Sequence, residues 1–516
     1  MVVVAPIRTR EVPAIVLLCR EVSEERSSIR SSDYAIRKIT RAKPRRIWLP
    51  AFLKAVEETS DLSAQKLGEV LLALTPKAIL DAHLEGVLKE SASKETNGKF
   101  EILATQGNTK TRYEEYQRLV RESFARHESV FVCVPTEEDV LRRSAELGHG
   151  ILDYTFSLHS SISKKKIIEI WKNILKEEHA VLVVGTAQYL ALPRRFKTIV
   201  LDEEHSHAWK TISRPQIDLR VFVEEYARAC GGRLIIGAPI LRAETHERIA
   251  NGSIGEFGRI SQHAREQTEI ILVDPRKEEK YIREKTGRRE MVLVSKELLE
   301  LMQDADCGAL VRCPQCETPL VVHRKESAIG SAQIFVCHGC GFMRVPENNV
   351  NETCPNCKGW KLQGVGIGID RIDDEIAKLF PKTERFILDS ERAKTRAQGK
   401  KIIEKFEKSD SGVLIATPMA LPLLGSVDNT AIISIDSLFA IPDIRMSERI
   451  FALVLALREK TTGTLLIQTR ADDTTIFEQA LAGDLLKFTE NELAIRKAFS
   501  YPPYGTIIQK IFSACI

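Results

Sequence analysis

Apolar positions along the chain follow two different periods, in alternating territories. Residues 47–80 carry helical spacing, through Leu53, Val56, Leu67, Val70, Leu71 and Leu74, with a stop at Pro76. From about residue 98 the pattern changes to short β-branched runs at 129–134, 180–184, 198–201 and 234–236. Polar turns and longer amphipathic stretches follow them, which is how βα units of a parallel sheet read. The same alternation returns at 386–388, 413–415, 431–435 and 465–467. Two α/β lobes are the simplest layout. A further β-like run lies at 14–19, ahead of a basic stretch from Arg37-Lys38 to Arg45-Arg46.

Composition narrows the class without naming it. At 516 residues the chain is too long for one compact domain, and three or four are expected. Hydrophobic residues at 43% and charged residues at 28% argue against global disorder. The net charge, 75 − 71 = +4, does not announce a nucleic-acid partner, because the charge that matters would have to cluster locally. The longest uninterrupted apolar run, Ile450 to Leu457, is eight residues, far below the ~20 that span a bilayer. That excludes a membrane-spanning helix. The N-terminus is broken by Pro6, Arg8, Arg10, Glu11 and Pro13, so it does not read as a secretory signal and the cytoplasm is expected.

The cysteines change the picture more. Seven of the eleven lie between Cys307 and Cys357. Six form C-x-x-C pairs: Cys313 with Cys316, Cys337 with Cys340, and Cys354 with Cys357. Two residues between thiolates let one tight turn present both sulfurs to a tetrahedral ion, so the array points to zinc. Six ligands make one and a half four-ligand sites. Cys307 supplies a seventh, and Asp304 stands at knuckle spacing before it. A carboxylate binds zinc, so Asp304 is counted as the eighth ligand; His323 and His338 are read as ordinary surface histidines. Zinc, about two ions, in a structural role is the expectation.

A nucleotide constellation lies upstream. Asp202-Glu203-Glu204-His205 closes the apolar strand 198–201, and acidic residues at the carboxyl end of a parallel strand face the crevice where ligands bind. There an Asp can hold Mg²⁺ and the next Glu can orient an attacking water. The candidate phosphate loop is residues 104–111, where Gly107, Lys110 and Thr111 are the binding candidates. Lys110 offers a cation for phosphates and Thr111 a hydroxyl for Mg²⁺. The pattern G-x-x-x-x-G-K-[ST] nevertheless fails at both outer glycines, replaced by Ala104 and Thr109.

These segments, in this order, resemble the bacterial primosomal replication-restart helicases, the PriA family of superfamily 2. The carrying motifs are SDLSAQKLGEVLLALTPK at 60–77, Lys110-Thr111, SLHSSIS around His159-Ser160, the DEEH box, Gly237-Ala238-Pro239, and the knuckles in RCPQC, CHGCG and CPNC. GVGIGIDRIDDEIAKLFP, VLIATPMAL, IPDIRMSERIF, LLIQT and FTENELAIRKAFSYPPYG continue the series. The resemblance implies an α/β fold of tandem RecA-like helicase lobes with an inserted zinc-ribbon module. It also implies N-terminal DNA-binding and winged-helix-like regions.

The implied order is a shortened 3′-DNA-end-binding region (1–45), a winged-helix-like region (46–85), lobe 1 (90–250) and a connector (251–300). The zinc module (301–360), lobe 2 (361–485) and a shortened C-terminal domain (486–516) follow. Implied cofactors are zinc and ATP with Mg²⁺. Implied partners are forked or single-stranded DNA and other primosome and replication proteins.

Departures fall on catalytic positions. Besides Ala104 and Thr109, the chain has Gly237-Ala238-Pro239-Ile240 in place of a Ser-Ala-Thr-Pro-type coupling motif. Where the family carries a Gln and two Gly-Arg pairs, it reads Ala456-Leu457-Arg458-Glu459-Lys460, with Arg458 or Lys460 left to act as the finger. Pro422 and Leu423 occupy a stretch where the family has glycine. Trp209 remains in the loop that senses single-stranded DNA, although Pro215 sits near a tyrosine position. Erosion of the loop and finger beside an intact box predicts a fork-binding restart protein with weak or no helicase activity. The alternative is an active 3′→5′ DNA helicase.

Overall fold

The computed structural model describes residues 47–88, 98–258 and, with short gaps, 369–506, together with separate strands and turns within 2–43 and 260–365. The chain divides into two units, 1–261 and 262–516.

In the first unit, β1 (Val2–Ile7), β2 (Arg10–Ile15) and β3 (Arg41–Lys43) form an antiparallel sheet in the order β2-β1-β3. Three helices follow: α1 (Pro50–Leu62), α2 (Leu67–Ala73) and α3 (Lys77–Glu85). Pro76 ends one helical stretch as expected, but it also caps the start of α3, where a missing N–H costs nothing. Phe52 of α1 meets the ring of Phe222 edge-on at 5.5 Å, so this helical region docks on the helix Leu219–Cys230 that flanks the large sheet. Among described residues 47–88 no strand accompanies these helices to make a wing.

The large sheet holds β4 (Glu101–Gln106), β5 (Val130–Cys133), β6 (Thr155–Leu158), β7 (Leu182–Gly185), β8 (Thr198–Leu201), β9 (Arg233–Ala238) and β10 (Gly255–Glu256). Its order is β10-β4-β9-β8-β5-β7-β6, and every pairing is parallel. The linking helices are α4 (Thr109–Ala125), α5 (Glu137–Leu147), α6 (Lys164–Lys176), α7 (Leu219–Cys230) and α8 (Ala243–Ala250).

Residues of β5, β7 and β8 are buried on both faces, which explains why they read as continuous apolar runs. Alternate residues along each strand feed two cores, one containing Phe131, Ile199 and Phe222, the other Val130, Val132 and Tyr116. This is the parallel α/β sheet with flanking helices expected of the first lobe. Strand β9 lies between β4 and β8, so the ends of those two strands face each other across it.

The second unit contains β11 (Glu269–Val273), then β12 (Leu301–Asp304), β13 (Val321–Ser327), β14 (Gly330–Val336), β15 (Met343–Arg344) and β16 (Leu362–Val365). The last five make an antiparallel sheet, β15-β14-β13-β12-β16. Beyond them come α9 (Ile369–Leu379), β17 (Arg385–Leu388), α10 (Arg396–Glu407), β18 (Val413–Ala416) and β19 (Thr430–Ile432). The unit ends with α11 (Asp436–Phe439), α12 (Met446–Lys460), β20 (Thr464–Gln468), α13 (Thr475–Ala482) and α14 (Leu485–Ala498). Its remaining pairings are parallel, in β11-β20-β19 and β17-β18. A buried ion network holds α12 to α14: Arg496 lies 2.7 Å from Glu492 and 3.0 Å from Glu448.

Candidate nucleotide site

The site forms where β4 and β8 end. Parallel pairing of β4 with β9 continues to Gln106 opposite Ala238, and α4 begins at Thr109. Only Gly107 and Asn108 remain between strand and helix. A phosphate loop needs several residues of curled backbone whose N–H groups converge on an anion. Here Ala104 is a buried strand residue and Thr109 the first residue of a helix. The expected long loop is therefore a two-residue turn.

Its donors are already engaged. The Gly107 N–H donates to the Ala238 carbonyl at 3.2 Å, and the Thr111 N–H donates to the Asn108 side chain at 2.9 Å. Asn108 is thus an ordinary helix N-cap. Lys110 and Thr111 are exposed on the first turn of α4. Gln106 closes the strand side: its carbonyl oxygen accepts from Leu241 N–H at 2.8 Å and lies 3.0 Å from His246 Nε2. Burial pushes the His246 imidazole down to about 4, so the ring is neutral and donates from Nε2.

The carboxylates of the DEEH box are each taken by protein partners. Asp202 is fully buried. Its Oδ1 accepts from Arg112 Nε at 3.1 Å and from the Tyr116 hydroxyl at 3.0 Å, while Oδ2 accepts from the Tyr113 hydroxyl at 2.6 Å. Arg112, Tyr113 and Tyr116 sit at i, i+1 and i+4 on α4, so one helix face delivers all three. Arg112 further donates Nη2 to Glu203 Oε1 at 2.5 Å and Nη1 to the Gly107 carbonyl at 2.7 Å.

Burial disfavours the Arg112 cation, but Asp202 and Glu203 outweigh it and keep the guanidinium protonated well above its ordinary range. Burial likewise pushes Asp202 up, yet Arg112 and then Tyr113 prevail and hold its carboxyl below the usual range. Glu203 adopts a left-handed backbone, φ +55°, a conformation that concentrates at functional sites. Its carbonyl accepts from Trp209 Nε1 at 2.9 Å. Glu204 is buried and bonded to the Thr245 hydroxyl and, at 3.1 Å, to Arg242 N–H; burial raises its carboxyl.

Gly237 explains a second departure. A Cβ there would lie 1.7 Å from the Tyr116 hydroxyl, so Tyr116 reaches Asp202 only because position 237 is bare. Mg²⁺, implied at Asp202 by the family resemblance, does not fit these residues as arranged. Both carboxylate oxygens are satisfied by protein donors, and a cation already lies at bonding distance.

Several expectations are revised. Trp209 is completely buried, so in this conformation it braces Glu203 and offers no face to a base. Arg458 is buried and donates to the Ala480 carbonyl at 3.2 Å, while the Lys460 ammonium is held by the Leu424 carbonyl. Each is thus engaged by its own unit. The knuckle cysteines Cys307, Cys313, Cys316, Cys337, Cys340, Cys354 and Cys357 lie outside the described residues, and of Asp304 only the backbone is described, opposite Leu362.

Arg112, Tyr113 and Tyr116 were missed in the sequence. Their available signal was a basic residue directly after Lys-Thr and two tyrosines at helical spacing.

No helix among the described residues is long and apolar enough to cross a membrane. No family model matches the sequence. A curated relative, the replication restart protein PriA of Borreliella burgdorferi, is 24% identical over 464 residues, covering 84% of this chain and 67% of the relative. PriA of Bacillus subtilis is 24% identical over 454 residues, covering 81% of the chain and 53% of the relative. The chain thus spans between about half and two thirds of these relatives. Among solved structures, RecG bound to a three-way DNA junction superposes loosely, with a TM-score of 0.37 and 11% identity over 86% of this chain and 52% of that one. At 23–26% identity over most of its length, the chain is similar to replication restart proteins PriA from several bacteria.

Proposed function

We propose that this protein binds forked DNA and seeds the reassembly of a primosome in the cytoplasm, with little or no ATP turnover. The carrying observation is the two-residue turn between β4 and α4, which leaves no cradle for a triphosphate. The buried positions of Trp209 and Arg458 support the same reading, since neither is presented to DNA or nucleotide. The fold then serves as a landing platform. Zinc in the knuckle region, held by the seven cysteines and Asp304, would stabilise it, because structural metal binding is folding free energy.

Two assays on one sample test this: fork binding across a salt series, and ATP hydrolysis with and without the fork. The expected result is fork affinity that falls with salt as phosphate contacts are screened, beside no turnover. Robust fork-stimulated hydrolysis lost in Lys110→Ala would overturn the proposal and leave an active helicase. For the metal, about two zinc ions per chain are expected from four-ligand sites. A single ion, unaffected by Asp304→Ala, would remove Asp304 from the ligand set.

A further inference from the structure

We propose that the Arg112 guanidinium is the resident cation of the Asp202 site, joining the β4 turn to the DEEH box in place of a divalent metal. One side chain spans both segments: it contacts the Gly107 carbonyl at 2.7 Å, Asp202 at 3.1 Å and Glu203 at 2.5 Å. In a nucleotide-driven lobe, joining the phosphate loop to the acidic strand end is the work of the bound metal and phosphates. Here the chain does it from within.

The surroundings are matched to that role. Tyr113 and Tyr116 fill the remaining acceptor capacity of Asp202, at 2.6 and 3.0 Å. Gly237 supplies the space that the Tyr116 hydroxyl occupies. Arg143 lies over the Tyr113 ring, 4.0 Å from its centroid, and brings a second positive charge toward the Asp202 and Glu203 pair. Arg143 is itself paired with Glu146 at 2.8 Å, so Arg112 is the guanidinium that contacts both carboxylates directly. Arg112, Tyr113, Tyr116 and Gly237 thus act as one set around Asp202.

This inference concerns cation occupancy alone and stands apart from fork binding, which is measured separately on the same protein. The full chain is titrated with Mn²⁺, a hard divalent ion suited to carboxylate sites, by electron paramagnetic resonance. Thermal unfolding is followed in parallel with and without millimolar Mg²⁺. The native chain is expected to bind no Mn²⁺ that raises its Tm. Arg112→Ala should unfold at lower temperature and recover part of that loss in Mg²⁺, since the vacated position then offers Asp202 and Glu203 to an ion.

One Mn²⁺ per native chain accompanied by a higher Tm would overturn the proposal. So would an Arg112→Ala chain whose loss Mg²⁺ leaves untouched, because Arg112 would then be an ordinary buried ion pair. If Arg112→Ala does not fold, Arg112→Gln carries the same comparison, and the native titration decides on its own. Loss of fork binding in any of these samples bears on the proposed function and leaves the cation assignment unchanged.

Discussion

The turn after β4 and the acidic box after β8 differ in how far their sequences keep to the motif. The turn departs from a phosphate-loop pattern at two positions, whereas all four residues of Asp202-Glu203-Glu204-His205 match the family motif. Structurally the two have moved together. The turn has closed to Gly107-Asn108, and the box has exchanged an open face for contacts with Arg112, Tyr113 and Tyr116. A retained motif therefore says which side chains are present, and the neighbouring helix says what they are free to do. A carboxylate whose oxygens already accept three hydrogen bonds is a structural group, whatever motif it belongs to.

Deleting one cation from the box and one from the turn should separate the two regions most clearly. Arg112→Ala leaves Asp202 buried with its charge uncompensated, and should cost about 3–5 kcal/mol in denaturant unfolding. Lys110→Ala removes an exposed side chain and should fall within about 0.5 kcal/mol of the native chain. Equal losses would show that the lysine, too, is part of a built site.

A smaller effect tests whether Gly237 and Tyr116 are one feature. Gly237→Ala drives a methyl group into the Tyr116 hydroxyl and should destabilise by about 1–3 kcal/mol. Tyr116→Phe in the same chain removes the clashing oxygen and should recover part of the loss, which a double-mutant cycle measures as coupling. Strict additivity would separate the two positions.

The smallest effect concerns Asp139, in the first turn of α5. Burial pushes its carboxyl up to about 6, opposed by the Thr136 hydroxyl and by Arg142 and Arg143 and assisted by the Glu203 charge. A raised folded-state value means the group's contribution is fully present below about pH 4 and is lost as pH rises through 6. Asp139→Asn stays neutral, so it should gain about 1–2 kcal/mol over the native chain at pH 7 and nothing at pH 4. A gain that is the same at both values would tie the effect to packing and not to charge.

Legibility from the chain alone followed burial. The run at 198–201 was read to the residue, since a strand covered on both faces is apolar throughout and bounded by polar turns. Strand β4 was read short: Thr105 and Gln106 look like loop residues, but both pair with β9, and Gln106 finds polar partners in Leu241 N–H and His246. The break at Pro76 was legible from the missing N–H, but the helix restarting behind it was not, because Lys77–Glu85 gains its apolar partners only after docking.

What the sequence determined by itself, then, was the alternation of strands and helices, the family motif order and the location of the acidic box. These depend on local period and residue type. Tertiary structure decided what the box is for. Arg112 and Asp202 are 90 positions apart, and only the placement of α4 over the ends of β8 and β9 brings the guanidinium to within 3.1 Å of the carboxylate. Once there, both groups are out of water, where a charge must find its counterpart nearby, and each becomes the reason the other can stay ionised.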